Sequence, residues 1–198
     1  EAWAAFEAEA NGRTVLSRED ADLVMHMGRA VLGHPAAAML LGIDGEAETT
    51  HMWTDATTGL QCKCRPDWIS ADGGILVDLK TTEDASPREF QRSIAKWRYH
   101  VQAGWYMAGV EAAYGTRPSG FIFIAVEKKP PFAVGVYAAD EEMINRGYEI
   151  AMRDLQKLAE CKAANQWPAY SHRIEPISLP AWMTGKADAS TSDQIEGF

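Results

Sequence analysis

Two aspartates and a lysine are the residues of this sequence best suited to metal and phosphate chemistry. Asp67 follows a proline, Asp78 comes after a Gly-Gly turn signal, and Lys80 stands two positions further on. Because alternate residues of a strand share a face, Asp78 and Lys80 project together while Leu79 points to the other side. Carboxylates bind Mg²⁺, and an ammonium can orient a water and offset charge at phosphorus. An Asp-x-Lys sequence is also common as a plain surface salt bridge.

The periodicity of the surrounding residues indicates which elements must position these groups. Helical spacing predicts helices over 1–11, 17–32, 36–41, 86–114 and 140–164, the second of them capped by Ser17. Alternation and turn signals predict strands over 46–54, 60–70, 75–79, 121–127 and 133–137. A hairpin of the second and third strands would bring Asp67 beside Asp78 and Lys80. The predicted fold class is α/β (α+β), a mixed central β-sheet flanked by helices.

Length and composition limit the classes of protein to consider. The 198 residues, 46% hydrophobic and 24% charged, are ordinary for a globular domain and exclude a disordered or collagenous chain. No apolar run approaches the ~18 residues of a membrane helix. The net charge of −9 argues against coating nucleic acid by bulk electrostatics, but it allows a local basic patch. We expect one domain over 1–185 and a flexible tail over 186–198.

The cysteines and the start of the chain support two further expectations. Cys62 and Cys64 are too close along one strand to bridge, and the count of three cysteines is odd, so reduced thiols and a cytoplasmic setting are expected. An iron–sulfur cluster would need four well-placed thiolates, and the three cysteines of this chain do not meet that requirement, so no cluster is expected. The chain begins at Glu1 inside a helical pattern, so we expect that a preceding segment is missing.

Three motifs carry a family resemblance: GLQCKCRPD over 59–67, VDLKTT over 77–82 and WRYHVQAGWY over 97–106. In this order they resemble the nuclease domain of exodeoxyribonuclease VIII of the RecE type. That family belongs to the PD-(D/E)xK superfamily and occurs in phages and prophages. The resemblance covers about 46–115, with a weaker echo at Trp167-Pro168 and at Leu179–Trp182.

The resemblance implies a Mg²⁺-dependent exonuclease, with Mn²⁺ able to substitute. Such an enzyme digests one strand of linear double-stranded DNA from 5′ to 3′ and leaves 3′ overhangs for a RecT-type single-strand annealing protein. The resemblance also implies a homo-oligomer, a toroidal tetramer, for which Trp167 and Trp182 are candidate interface anchors. Two alternatives remain open, a same-fold endonuclease of restriction or repair type and a non-catalytic DNA-binding module.

The resemblance also assigns roles to individual residues. It implies Asp67, Asp78 and the backbone carbonyl of Leu79 as metal ligands, with Lys80 as the catalytic lysine. Gln102 and Tyr106 match the Gln-x-x-x-Tyr motif of RecB-like nucleases and are expected at the catalytic site. Because residues four apart share a helix face, both can approach the site, although packing of the helix on the sheet would also explain them.

One ligand expected from the resemblance is a His or Glu on an upstream helix, which we place before residue 1. His26, His34 and Glu48 are the candidates within this chain, although the two histidines are more simply a polar helix-face residue and a helix-break residue.

Basic side chains supply candidate DNA contacts. Arg88, Arg92 and Lys96 fall four residues apart on one helix stripe, and such cations would contact phosphates in a salt-dependent way. The further candidates are Arg98, His100 and Arg65, the last of which lies close to Asp67. A solvated helix face would explain the stripe equally well.

Overall fold

The computed structural model describes residues 2–11, 13–179 and 183 of the chain. Its helices are α1 (Ala2–Ala10), α2 (Arg18–Gly33), α3 (Pro35–Leu41), α4 (Pro87–Trp97), α5 (Tyr99–Tyr114) and α6 (Glu141–Ala164). Its strands are β1 (Gly45–Ala47), β2 (His51–Thr54), β3 (Gln61–Cys64), β4 (Trp68–Ser70), β5 (Ile75–Thr82), β6 (Gly120–Glu127) and β7 (Val134–Ala138). Among the described residues, no helix combines the length and the apolar character needed to cross a membrane.

A five-stranded mixed sheet forms the centre of the first compact unit, Glu1–Glu160. Its strand order is β1-β4-β5-β6-β7, in which β5 and β6 are parallel and the other neighbours are antiparallel. β2 and β3 pair separately as a two-stranded antiparallel sheet. The predicted fold class, a mixed sheet flanked by helices, is confirmed.

The strands predicted over 46–54 and 60–70 are wrong in extent, because each is divided between the two sheets. The first is interrupted at Glu48, whose φ of 59° is left-handed and incompatible with a continuing strand. The second is interrupted at the buried Pro66, which has no N–H to donate to a ladder. The strand predicted over 75–79 continues to Thr82.

Apolar residues on both faces of β6 define two core clusters. Phe121 and Phe123 pack on one face with Phe90 of α4 and with residues of α5. Ile124, which points the other way, packs with Val31 of α2 and with residues of α3. Helices α2 and α3 therefore cover one face, and the helices after β5 cover the other.

The helix predicted over 86–114 is broken in two at Arg98. This residue adopts the left-handed conformation (φ 59°, ψ 35°), which ends α4 and precedes α5. Phe90 of α4 and Tyr99 of α5 both lie against Phe123 of β6, with ring centroids 5.8 and 6.2 Å from it. The turn at Arg98 lets both helices pack on the same part of the sheet, which a continuous straight helix could not do.

Two glycines allow α5 and α6 to approach closely. A Cβ on Gly147 would lie 1.8 Å from the carbonyl oxygen of His100, and a Cβ on Gly104 would lie 2.2 Å from the backbone nitrogen of Tyr148. No side chain larger than hydrogen fits at either position without a shift of backbone. This contact fixes the position of α5, the helix that carries Gln102.

The second unit, Cys161–Phe198, begins with the last residues of α6 and is irregular from 166 to 179. Asn165, with a φ of 49°, ends the helix, and the backbone N–H of Gln166 bonds to the carbonyl of Cys161. The predicted tail over 186–198 and the candidate anchor Trp182 lie outside the described residues. The single domain expected over 1–185 stays a prediction.

Candidate active site

β5 carries Asp78 and Lys80 on the face of the sheet that α4 and α5 cover. Leu76 packs in the core cluster on this face, and Val77 packs in the cluster on the opposite face. Asp78 and Lys80 follow Leu76 at alternate positions, with side chains only 1% and 16% exposed. Leu79 is exposed on the other face. The alternation predicted from the sequence is confirmed, and burial distinguishes this pair from a surface salt bridge.

Asp67 lies in the bend between β3 and β4, not on a strand as the sequence suggested. The β4–β5 register pairs Trp68 with Val77, so one further step brings Asp67 opposite Asp78. Asp67 Oδ2 accepts a hydrogen bond of 2.7 Å from the backbone N–H of Leu79. Because the N–H and C=O of a strand residue point to the same edge, the Leu79 carbonyl faces the edge on which Asp67 lies.

Gln102 of α5 connects the aspartate and the lysine. Its Nε2 donates a hydrogen bond of 2.6 Å to Asp78 Oδ1, and its Oε1 accepts one of 2.9 Å from Lys80 Nζ. Lys80 also forms an ion pair with Asp78. A side-chain amide offers a donor and an acceptor at once, so one Gln102 rotamer satisfies both partners. We call Asp78, Lys80 and Gln102 the buried network.

The electrostatics of the buried network favour a further positive charge. Burial raises the pKa of Asp78 above its ordinary value, Lys80 and the Gln102 amide oppose this rise, and the charge of Asp67 adds to it. The ionised carboxylate therefore depends on its neighbours for stabilisation. A cation held between Asp67 and Asp78 would provide more of it.

Two tyrosines flank the network. Tyr106, predicted at the site, is half-buried against the core near Gln102, and burial raises the pKa of its hydroxyl. Tyr99 was not singled out from the sequence, yet its ring centroid lies 4.6 Å from Lys80 Nζ. Tyr99 precedes Gln102 by three residues, and this spacing was the signal that both share one helix face.

The donors around Asp78 fit a divalent metal ion such as Mg²⁺. Asp78 Oδ2 is buried and, among the described residues, has no hydrogen-bond partner of suitable geometry, although the Lys80 ammonium lies beside it. The Asp67 carboxylate and the Leu79 carbonyl add oxygen donors at the same edge. Within the described chain, no group of three or more His, Cys, Asp or Glu side chains could hold a metal. Magnesium sites commonly use one or two carboxylates and complete the shell with water and phosphate.

The candidates for an additional ligand within this chain have other contacts. His26 stacks on Phe132, with ring centroids 5.4 Å apart. His34 caps α3, where its Nδ1 lies 3.4 Å from the Ala37 N–H. The carboxylate of Glu48 forms an exposed ion pair of 2.8 Å with Arg65.

The predicted DNA contacts lie in several parts of the first unit. Arg92 pairs with Glu89 on the surface of α4, and Lys96 Nζ lies 4.9 Å from the ring centroid of Trp97. Arg88 also lies on α4, so the spacing of the stripe is retained. Arg65 is bound to Glu48 instead of neutralising Asp67.

Two other predicted DNA contacts, Arg98 and His100, lie at the α4–α5 junction and contact other parts of the protein. Arg98 pairs with Asp154 of α6. His100 is partly buried, with Nδ1 3.4 Å from the carbonyl of Ile94, and its own carbonyl lies at the close approach to Gly147. Packing therefore accounts for the position of His100.

All three cysteines are buried and free, as expected for reduced thiols. Burial raises the pKa of Cys64 to about 12, so this thiol stays protonated at neutral pH.

A mixed sheet that presents Pro-Asp before one strand and Asp-x-Lys on the next defines the class of PD-(D/E)xK nucleases. The chain belongs to the family described as a PDDEXK-like domain of unknown function (DUF3799), whose profile matches residues 4–180. It is therefore a nuclease-type domain, and its class is that of the phosphodiester hydrolases.

A solved structure shares this fold. The chain is similar to a crystal structure described as a "putative exonuclease" from Eubacterium rectale, with a TM-score of 0.64 and 13% identity over 88% of this chain and 71% of that one. At this identity the likeness shows the fold alone. An alkaline exonuclease from Laribacter hongkongensis is similar over 79% of this chain and 80% of its own, at 14% identity, but its TM-score of 0.36 is too low to show a shared fold. No curated protein sequence matches the chain.

Proposed function

We propose that this protein is a divalent-metal-dependent exonuclease that digests one strand of linear double-stranded DNA from 5′ to 3′ and leaves 3′ overhangs. The observation that carries the hydrolytic part is the buried carboxylate of Asp78, which is ion-paired with Lys80 and lies opposite Asp67, the residue before the neighbouring strand. The direction of digestion rests on the three motifs that resemble the RecE-type exodeoxyribonuclease VIII. The Eubacterium rectale structure that shares the fold is described as a "putative exonuclease", which supports an exonuclease without bearing on the direction.

The chemical roles follow from the contacts of the buried network. Nucleases of this type generally use divalent metal ions, and a bound Mg²⁺ or Mn²⁺ would polarise the phosphate and lower the pKa of a coordinated water. Asp67, Asp78 and the Leu79 carbonyl would hold the ion. Lys80 offers its ammonium to the attacking water and to the charge that develops on the phosphate.

Gln102 positions the two charged groups of the network relative to each other. It holds both Asp78 and Lys80 before substrate arrives, so little reorganisation accompanies the reaction. Tyr106 completes the helix motif and supports Gln102 from the next turn of α5.

The proposed products suit recombination by strand annealing. Overhangs with free 3′ ends are substrates for a RecT-type annealing protein, which we propose as the partner. We also propose a toroidal tetramer, because a ring that encloses the duplex retains it between cleavage events. Exposed apolar side chains on α2 and α3, among them Val24, Leu32 and Met39, offer contact surface. Light scattering that gives the mass of a monomer would contradict the tetramer.

The activity is tested with linear 5′-phosphorylated duplex and relaxed circular duplex, each with Mg²⁺ or EDTA. We expect Mg²⁺-dependent loss of the linear DNA alone. A label at the 5′ end should be released as mononucleotide, while a label at the 3′ end stays in a long strand. Cutting of the circle would instead identify an endonuclease, and release of the 3′ label first would reverse the direction.

A lysine variant tests the assignment of the site. Lys80→Ala should lower the rate by about a hundredfold or more, because it removes the ammonium from the reacting phosphate. Lys157→Ala is the matched control, since Lys157 is exposed on α6 and, in the part of the chain that the structure describes, pairs only with Glu160. Full activity of Lys80→Ala would refute the role of the network.

A further inference from the structure

An open cleft of about 580 Å³ lies beside the buried network, between the end of β5, α4 and the turn that connects β6 to β7. The cleft is lined by the cations Arg92, Lys96 and Lys128, by the rings of Trp97 and Tyr99, and by three carboxylates. This volume is within the range of about 300–1,000 Å³ that small-molecule sites occupy. Tyr99 lines the cleft and also contacts Lys80, so the cleft adjoins the candidate active site at Tyr99.

The three cations that line the cleft differ in whether a carboxylate already neutralises them. Arg92 pairs with Glu89 at 2.5 Å, and Lys128 pairs with Glu83 at 3.3 Å. Lys96, in contrast, has no carboxylate within ion-pair distance in the described part of the chain, and its ammonium lies over the indole of Trp97. A phosphate at this position would meet an ammonium that is not already neutralised.

Trp97 is the second unusual group of the cleft. It is the last residue of α4 and 59% exposed, whereas Tyr99, two residues later, packs against the core. Among the described residues, Trp97 belongs to neither apolar cluster. A large aromatic ring, open to solvent and next to a free ammonium, has the chemistry of a platform for a nucleobase and its phosphate.

We propose that the open cleft binds a single-stranded segment of the digested DNA strand, with a base stacked on Trp97 and a phosphate bound by Lys96. The occupant is single-stranded because duplex bases stack on each other and leave no face free for a side chain. This inference rests on the proposed function, since it identifies the form in which the strand lies beside the catalytic lysine.

The experiment measures binding without cleavage. A fluorescent single-stranded oligonucleotide is titrated with protein in EDTA, and its anisotropy gives the affinity. Trp97→Ala should weaken binding about 5- to 100-fold, the value of one base–aromatic stack. Trp97→Phe should retain most of the affinity, because it keeps an aromatic face. Trp3→Ala is the matched control, since Trp3 is similarly exposed but lies on α1, and it should bind as the unaltered protein does.

A lysine variant tests the phosphate contact. Lys96→Ala should reduce the slope of log affinity against log salt concentration by about 0.7, the effect of one lost phosphate contact on a single strand. Unchanged affinity of Trp97→Ala, or an equal loss in Trp97→Ala and Trp3→Ala, would overturn the proposal.

The binding experiment can fail while the proposed exonuclease activity is found, and the reverse is also possible. If Trp97→Ala binds normally while the unaltered protein digests linear DNA, only the cleft assignment fails. If the unaltered protein cuts no DNA but binds single strands through Trp97, the cleft assignment stands and the exonuclease proposal fails.

Discussion

The buried network and the open cleft lie side by side but differ in how their charges are held. Asp78 is 1% exposed and is fixed by two neighbours, whereas Arg92 in the cleft is 61% exposed and, among the described residues, is paired only with Glu89 three positions earlier. An exposed ion pair contributes at most about 1 kcal/mol, so a DNA phosphate can replace Glu89 at little cost. Loss of a partner inside a buried group of charges is far more damaging. The network is thus organised for chemistry before substrate binds, while the cleft can adapt to the substrate.

The sharpest test of this difference compares two carboxylates. Asp78→Asn keeps the shape of a buried side chain but removes its charge, so we expect hydrolysis of linear duplex to fall about 10²–10³-fold. Glu48→Gln also replaces a carboxylate by an amide, but this carboxylate belongs to an exposed ion pair with Arg65. We therefore expect less than about a twofold change in rate. Initial rates with Mg²⁺ in excess give both values.

The stability of both variants must be measured alongside these rates. Asp78→Asn leaves the Lys80 ammonium without its anionic partner and should cost about 1–3 kcal/mol of stability. Thermal melting therefore establishes that the protein is still folded at the assay temperature. A folded Asp78→Asn variant with full activity, or an inactive Glu48→Gln variant, would remove the distinction between the two regions.

The sequence predicted much of the buried network because local rules determine it. Strand alternation places Asp78 and Lys80 on one face, and the Gly-Gly turn brings Asp67 alongside them. The continuous strand predicted over 60–70 was wrong, although Pro66 was a visible signal of the break. That break is what lets Asp67 bend towards the Leu79 N–H.

The helical side was harder to predict because tertiary packing determines it. Neither glycine nor proline marks the break at Arg98, and the single helix expected over 86–114 was consistent with propensity alone. The requirement that Phe90 and Tyr99 both reach Phe123 is invisible without the sheet. Tyr99 was therefore missed, and the cleft beside it could not be inferred from spacing.

A glycine substitution can displace the helix of the network. Gly147→Ala puts a Cβ against the His100 carbonyl, a backbone atom that cannot rotate away. Overpacking of this kind costs typically about 1–3 kcal/mol. For a chain of this size we expect the melting temperature to fall by roughly 3–10 °C. Activity should fall as well, because Gln102 lies two residues from His100.

Gly28→Ala is the matched control for this substitution. Gly28 also lies inside a helix, but nothing within 4 Å would meet its Cβ. Alanine favours helix over glycine by about 1 kcal/mol, so this variant should melt at the same temperature or slightly higher. Equal melting temperatures for the two variants would show that the α5–α6 contact does not hold the network in place.

The smallest expected effect concerns Arg98, where the helix of the cleft meets the helix of the network. Its left-handed backbone costs roughly 1–2 kcal/mol, while its half-exposed ion pair with Asp154 returns at most about 1 kcal/mol. Arg98→Ala loses the pair and keeps the strained backbone. Arg98→Gly loses the pair but adopts the left-handed conformation freely.

We therefore expect Arg98→Gly to be more stable than Arg98→Ala by about 1 kcal/mol, measured by urea unfolding. Asp154→Asn separates the two effects, since it weakens the pair without changing the backbone at residue 98. It also weakens the exposed contact of Asp154 with Arg153, which contributes little, so the variant should lie close to the unaltered protein. If Asp154→Asn instead proves as unstable as Arg98→Ala, the ion pair with α6 fixes the angle between α4 and α5. If the expected order is found, the left-handed turn is maintained by the packing of Phe90 and Tyr99 on the sheet, and the cleft and the network are joined through the core instead of through a surface charge.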